Sequence, residues 1–331
     1  MARQGTEAAE TILGFYEPIR EELSRVGESV ASVVSSAPRE MREPLAHAIV
    51  GSGKRVRPAI TILASRLRST ASESPIQMGA AIELLHLATL IHDDTVDNAD
   101  VRRGRATLSS IWGPEVAILV GDYLFASSAT SVCETGSIRV IRRFVAQTIT
   151  ELATGELDER MAAYDAAQTR QQYLERIYNK TASLFTTAAE CGAVLSGAPE
   201  EEVQRLKAYG LNLGMAFQVV DDILDYEGSA QEVGKPVGAD LAQGVLTLPA
   251  LLLIERHPEG NPVVDLCRTR DADAHLERAL DMVRGSGIIA EAYEVADEYR
   301  RNAVDALAGF PDSRYRRALL EIADYVVGRT K

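Results

Sequence analysis

Lysine is almost missing from this sequence. Of its 35 basic residues only five are lysines (Lys54, Lys180, Lys207, Lys235 and Lys331), and arginine supplies the rest. Where arginine is the default cation, a retained lysine points to a need for a compact ammonium, for example as a point charge on phosphate. Cysteine is nearly as scarce. Cys133, Cys191 and Cys267 lie far apart in no CxxC or Cys/His spacing, which excludes a zinc module and a disulfide framework and suits a reducing, cytoplasmic setting. Positive charge is short overall, with 35 basic against 48 acidic residues and a net charge of -13, so a general nucleic-acid-binding surface is excluded. The N-terminus has no basic region leading into an apolar run, and no uninterrupted apolar stretch reaches the length of a membrane span. Neither a signal peptide nor a transmembrane segment is expected, which leaves only transient contact with a membrane surface. Period-two alternation bounded by hairpin turns is also missing, so the expected class is all-α.

What is present is helical spacing. It runs over 6–34 with a break at Pro18, over 41–50, and from Pro58 onward. Further helices are predicted at 138–164, 171–191, 200–226, 246–255, 273–284, 288–308 and 313–327, with an apolar helix after Gly113-Pro114. The stretch 226–246, YEGSAQEVGKPVGADLAQGVL, is Gly-rich and polar and reads as a functional loop. Hydrophobic content of 46% in 331 residues is enough for a sizeable core. No repeat, low-complexity tract or linker interrupts it, so 1–331 is read as a single domain.

The most informative stretch is 82–104, IELLHLATLIHDDTVDNADVRRG. An apolar helix ends in Asp93, Asp94 and Asp97, and on a helix Asp93 and Asp97 share a face, roughly 5–6 Å apart. Carboxylates that close repel, and a hard divalent cation with oxygen ligands is the usual remedy. Arg102, Arg103 and Arg105 follow at once, which suits a substrate carrying phosphate. FQVVDDILDYEG repeats the pattern at Asp221, Asp222 and Asp225. Two such helix ends facing one another would collect several Mg²⁺ ions and hold a diphosphate. Lys180 and Lys235 would complete the charge balance. GSGKRVRP adds a second basic cluster, Lys54, Arg55 and Arg57, framed by Gly and Pro.

These segments, together with GDYLFA, NKTASLF, and GKPVGADL followed by TLP, resemble the trans-isoprenyl diphosphate synthases, in that family's order and from Gly51 to Pro249. The resemblance implies an isoprenoid synthase helical bundle around a central active-site cavity, several Mg²⁺ ions, a homodimer, and two substrates, an allylic diphosphate and isopentenyl diphosphate. Carried over, Asp93, Asp97 and Asp221 are metal ligands, with Asp94, Asp222 and Asp225 in support. Arg102, Lys180, Gln218 and Lys235 contact the allylic diphosphate, with Thr181 beside them. Lys54, Arg57, His86 and Arg103 hold isopentenyl diphosphate, and Arg55 assists the local structure. Two departures stand out: Ser52 replaces a frequent Gly, and Glu159 stands near where many members have Gln after a pair like Gly155-Glu156.

The implied reaction is ionisation, condensation and elimination, with stabilisation of the departing diphosphate as the main catalytic term. The released diphosphate is the expected proton acceptor, and His92 is expected to be structural. The Gly-rich segment around Lys235 is the expected lid. One helical turn before the aspartates, Ala88 and Thr89 are small, with Leu85, Leu84 and Ala81 further down and Val145 and Thr148 as candidate floor. An open pocket there predicts a product longer than geranylgeranyl. Competing readings are a geranylgeranyl or farnesyl diphosphate synthase, a non-catalytic regulatory subunit of a heteromeric synthase, and a class I terpene cyclase. The cyclase would not need Lys54, Arg57 and His86.

Overall fold

Pro18 acts as its fixed φ and missing N–H dictate. It lies in a short 3-10 turn, Glu17–Ile19, that separates helical residues 14–16 from α1 (Arg20–Ser36). The computed structural model describes residues 14–50, 53–68, 72–227 and 237–328. These fall into two units, each discontinuous in sequence. The first takes Met1–Gln147, Thr187–Lys207 and Leu307–Ile322, and the second Thr148–Thr186, Ala208–Ala306 and Ala323–Lys331.

In the first unit α1 is followed by α2 (Arg42–Val50), α3 (Val56–Arg66) and α4 (Glu73–Val96). Helix α4 is apolar on nearly every side, and such a helix must be enclosed. It packs against α1, α3 and α6 (Pro114–Glu134), and Met78 through Leu85 are buried without a gap. Both α4 and α6 are long and apolar enough to cross a membrane by length and composition alone, although Glu83 and Asp122 interrupt their apolar runs. For α4 most of that stretch is buried inside the protein, and for α6 only a third.

The first unit also holds a hairpin that period-two alternation could not reveal. Strands β1 (Val101–Arg102) and β2 (Arg105–Ala106) pair antiparallel, with Arg102 opposite Arg105. Two residues per strand are too few to show a period. The turn is Arg103-Gly104, both at positive φ (51° and 75°), as the two-residue hairpin turns favoured by strand twist require. A short α5 (Leu108–Trp112), capped by Thr107, leads into α6.

Two predicted continuous helices are broken by π-helical segments. After α7 (Ile138–Ile141) the chain is π-helical over Arg142–Thr148 before α8 (Ile149–Met161). Helix α9 (Arg170–Ile177), opened by a Thr169–Gln172 capping box, passes through a π segment at Tyr178–Ala182 into α10 (Ser183–Leu195). Such insertions carry no composition signal. Then follow α11 (Glu200–Glu227), α12 (Ala239–Ala242), α13 (Leu248–Arg256), α14 (Pro262–Thr269), α15 (Ala272–Gly285), α16 (Ile288–Ala306) and α17 (Arg314–Gly328). Helix α14 had escaped prediction, although Asn261 caps it and Pro262 opens it. The second unit's core gathers Tyr173, Val219, Ile223, Leu251, Val283 and Ile288. The class is all-α.

Candidate functional site

The first aspartate motif occupies the last turn of α4, and burial sorts its members. Asp94 is turned inward, 8% exposed, and accepts a 2.5 Å hydrogen bond from Arg102 Nε of the hairpin. Asp93 is half-buried and Asp97 exposed. Asp97 caps the helix, its N–H bonded to the Asp93 carbonyl. His92 faces α6, with Nε2 3.3 Å from the Ile118 carbonyl oxygen and 3.5 Å from Asp122.

A basic cluster stands in the same unit. Arg55 has left-handed backbone (φ 52°), and the turn before α3 is tied down by Tyr16, whose hydroxyl donates to the Lys54 carbonyl at 2.7 Å. Arg57 lies in the first turn of α3 and donates from Nη1 to His86 Nε2 (3.2 Å). An arginine can only donate, so His86 Nε2 is unprotonated. Burial first, and then Arg57, Arg103 and Arg102, hold His86 well below the usual histidine range, so it stays neutral. Arg103 approaches closely enough that a Cβ at Gly53 would meet its Nη1 at 2.6 Å, so only glycine fits there without a shift. Glu83, one turn before His86, is 2% exposed. Burial raises its carboxyl, and Arg57, Arg55 and Arg103 offset only part of that rise. A cavity of about 90 Å³ is lined by Leu87, Ile91, Asp94, Arg102, Arg103 and Arg105, among others.

The second motif, on α11, keeps the same inward turn by different means. Asp222, 3% exposed, accepts from the Tyr173 hydroxyl (2.6 Å) and from Gln218 Nε2 (2.7 Å). Gln218 Oε1 in turn accepts from the Thr181 hydroxyl at 2.6 Å. Burial pushes the Asp222 carboxyl up to about 8, and the two neutral donors offset only part of that. Asp225 is buried as well and accepts backbone N–H bonds from Ala239 and Asp240 (3.1 and 3.2 Å), fastening α12 to α11. Asp221 is half-buried.

Lys180 and Thr181 lie in the π segment between α9 and α10, packed on α8 at Gly155, where a Cβ would come within 2.4 Å of the Lys180 nitrogen. The Lys180 ammonium meets two carboxylates of α8, Glu159 at 2.5 Å and Glu156 at 2.9 Å. Lys235 and Ser52 lie outside the described residues, as does most of the Gly-rich segment expected as a lid. Of the expected tail pocket, Ala81, Leu84, Leu85 and Ala88 are buried, and Thr89 is half-buried with its hydroxyl on the His86 carbonyl. Val145 is exposed and Thr148 buried.

Among the described residues, no three His, Cys, Asp or Glu side chains are gathered so as to hold an ion by themselves. Mg²⁺ binds through one or two carboxylates and takes its other oxygens from water and substrate phosphate. Asp93, Asp97 and Asp221 have the oxygen donors for this role, and none of the three is fully buried. Sequence reasoning missed Glu83 and Tyr173. A lone acid one turn before His86 in an apolar run was a usable signal for Glu83, whereas nothing in the sequence ties Tyr173 to Asp222.

The family model described as polyprenyl synthetase matches residues 38–283. A nonaprenyl diphosphate synthase of Mycobacterium tuberculosis is 37% identical over 95% of this chain and 94% of its own length. A heptaprenyl diphosphate synthase component 2 of Geobacillus stearothermophilus is 35% identical over 94% and 97%. Among solved structures, a polyprenyl synthase from Caulobacter crescentus complexed with calcium and isoprenyl diphosphate superposes with a TM-score of 0.90 at 35% identity, over 97% of this chain and 98% of that one.

Proposed function

This chain belongs to the polyprenyl synthetase family and is a prenyltransferase, and on that premise we propose that it is an all-trans polyprenyl diphosphate synthase that joins isopentenyl diphosphate head to tail to an allylic diphosphate. The observation that carries the reading is the sorting of the two aspartate motifs. Asp94, Asp222 and Asp225 are locked in internal bonds, while Asp93, Asp97 and Asp221 keep partial exposure. Those three are the Mg²⁺ ligands. Bound Mg²⁺ would neutralise the allylic diphosphate and make it a better leaving group.

The chain's own residues do the rest. Arg102, Lys180 and Gln218, with Thr181 beside them, orient the allylic diphosphate, and Lys235 joins them by sequence. Lys54, Arg57, Arg103 and neutral His86 hold isopentenyl diphosphate. As the allylic C–O bond breaks, its electron pair leaves with diphosphate. The double bond of isopentenyl diphosphate then forms the new C–C bond, and the proton lost from the adjacent carbon passes to a diphosphate oxygen. Buried apolar side chains of α4 exclude the water that would quench the cation.

Small Ala88 and Thr89 favour a medium-to-long product, as do relatives named for heptaprenyl and nonaprenyl products. The enzyme is assigned to the cytoplasm as a homodimer. Ile118 and Leu119, exposed on the long apolar helix α6, are the surface proposed to meet a second copy. A relative named as one component favours a second reading, in which this chain is the catalytic member of a pair. Purified protein incubated with isopentenyl diphosphate, each allylic primer and Mg²⁺ should give products longer than geranylgeranyl diphosphate by mass spectrometry. A product ending at farnesyl overturns the length assignment, and inactivity alone with recovery on adding a partner component favours the second reading.

A further inference from the structure

Lys180, assigned to the allylic diphosphate, already has carboxylate partners. Glu156 and Glu159, one turn apart on α8, approach its ammonium at 2.9 and 2.5 Å, with each of the three side chains about a quarter exposed. The contact is built in. Gly155 lets the π segment lie directly on α8, so the backbone that carries Lys180 cannot draw away from the two glutamates without unpacking. Arg160 offsets Glu156 at 3.7 Å, whereas Lys180 is the cation that meets Glu159 among the ion pairs seen.

We propose that Glu159 is a specificity-tuning residue that competes with diphosphate for Lys180, so that this subsite holds the allylic diphosphate, and the inorganic diphosphate released from it, more loosely than lysine alone would. The inference rests on the assignment of Lys180 to the allylic diphosphate. The physical basis is simple. An ammonium has three donors, and two are spent on carboxylates. A polyanion arriving at Lys180 must displace a carboxylate or sit beside its uncompensated charge, and at a few ångströms in a partly buried site that repulsion is large enough to matter. Loose retention suits repeated condensation, because each cycle leaves a diphosphate that must depart before the lengthened chain is set up again.

Glu159→Gln keeps the size and an acceptor for Lys180 but removes the charge. Inorganic diphosphate with Mg²⁺, measured as an inhibitor competing with the allylic substrate, should bind roughly tenfold tighter in this variant. The allylic KM should fall with it, and the KM for isopentenyl diphosphate should stay put. Glu156→Gln should move the same way by less, since Arg160 already offsets Glu156. Lys180→Ala is the control for the underlying assignment. If it leaves diphosphate inhibition and the allylic KM unchanged, Lys180 does not serve this substrate. If Lys180→Ala weakens both while Glu159→Gln has no effect or weakens them too, the assignment of Lys180 stands and the competition by Glu159 is overturned. Circular dichroism and Tm of each variant separate these outcomes from misfolding.

Discussion

The two aspartate motifs share one spelling and live in different chemical surroundings. In the first unit Asp94 is balanced by an arginine at 2.5 Å, and Arg57 and Arg103 stand around the nearby Glu83 and His86. In the second, Asp222 is held by a phenol and an amide, its carboxyl pushed up to about 8, and Lys180, beside the Thr181 that reaches Asp222 through Gln218, pairs with two glutamates. The third aspartates diverge as well: Asp97 caps a helix end and is exposed, while Asp225 is buried under the backbone of α12. An identical DDxxD therefore does not specify three equivalent ligands. The positions alike in both motifs are the first, half-buried, and the second, anchored inward.

Replacing a first-position aspartate tests that equivalence most sharply. Asp93→Ala and Asp221→Ala should each lower kcat by at least ~10²–10³, the loss typical of a major electrostatic contact, with native far-UV circular dichroism. EDTA should abolish turnover and Mg²⁺ restore it. Near-normal turnover in either variant removes that motif from the metal site.

Next in size is the contrast between the basic groups. Arg57→Ala should raise the KM for isopentenyl diphosphate by roughly tenfold or more, the size of one lost charge-assisted hydrogen bond, whereas Lys180→Ala should act on the allylic substrate. Steady-state kinetics with each substrate varied in turn would reveal a crossed pattern, and that pattern would reverse the assignment of the two subsites.

The inward aspartates should differ in their response to pH. Asp222 has a folded-state pKa raised from 3.8 to about 8, so in metal-free protein its contribution to stability is full below pH 4 and is lost as pH rises toward 8. Tm should therefore decline over that window, and Asp222→Asn should flatten the decline. A slope unchanged in the variant would mean that Asp222 is ionised when folded. The smallest effect on rate, with a clear effect on product, is expected from Ala88→Phe: its ring fills buried space one turn below Asp93, so product length should shorten by mass spectrometry. An unchanged distribution would place the tail elsewhere.

Local spacing and chemistry were enough to mark the all-α class, both DDxxD motifs and the GSGKRVRP cluster, whereas the Lys180–Thr181 pair stood out only through the family resemblance. Helical period and like-charge crowding are properties of neighbours in the chain. Tertiary structure decided how Asp222 and Asp225 are anchored inward, because that depends on partners far away in sequence: Tyr173 for Asp222, and the backbone of Ala239 and Asp240 for Asp225. It also placed Glu83 among three arginines, made His86 neutral, and set Lys180 between two glutamates by a π turn resting on Gly155. Burial, and the charge state that follows from it, is set by packing between segments, and no spacing along one segment contains it.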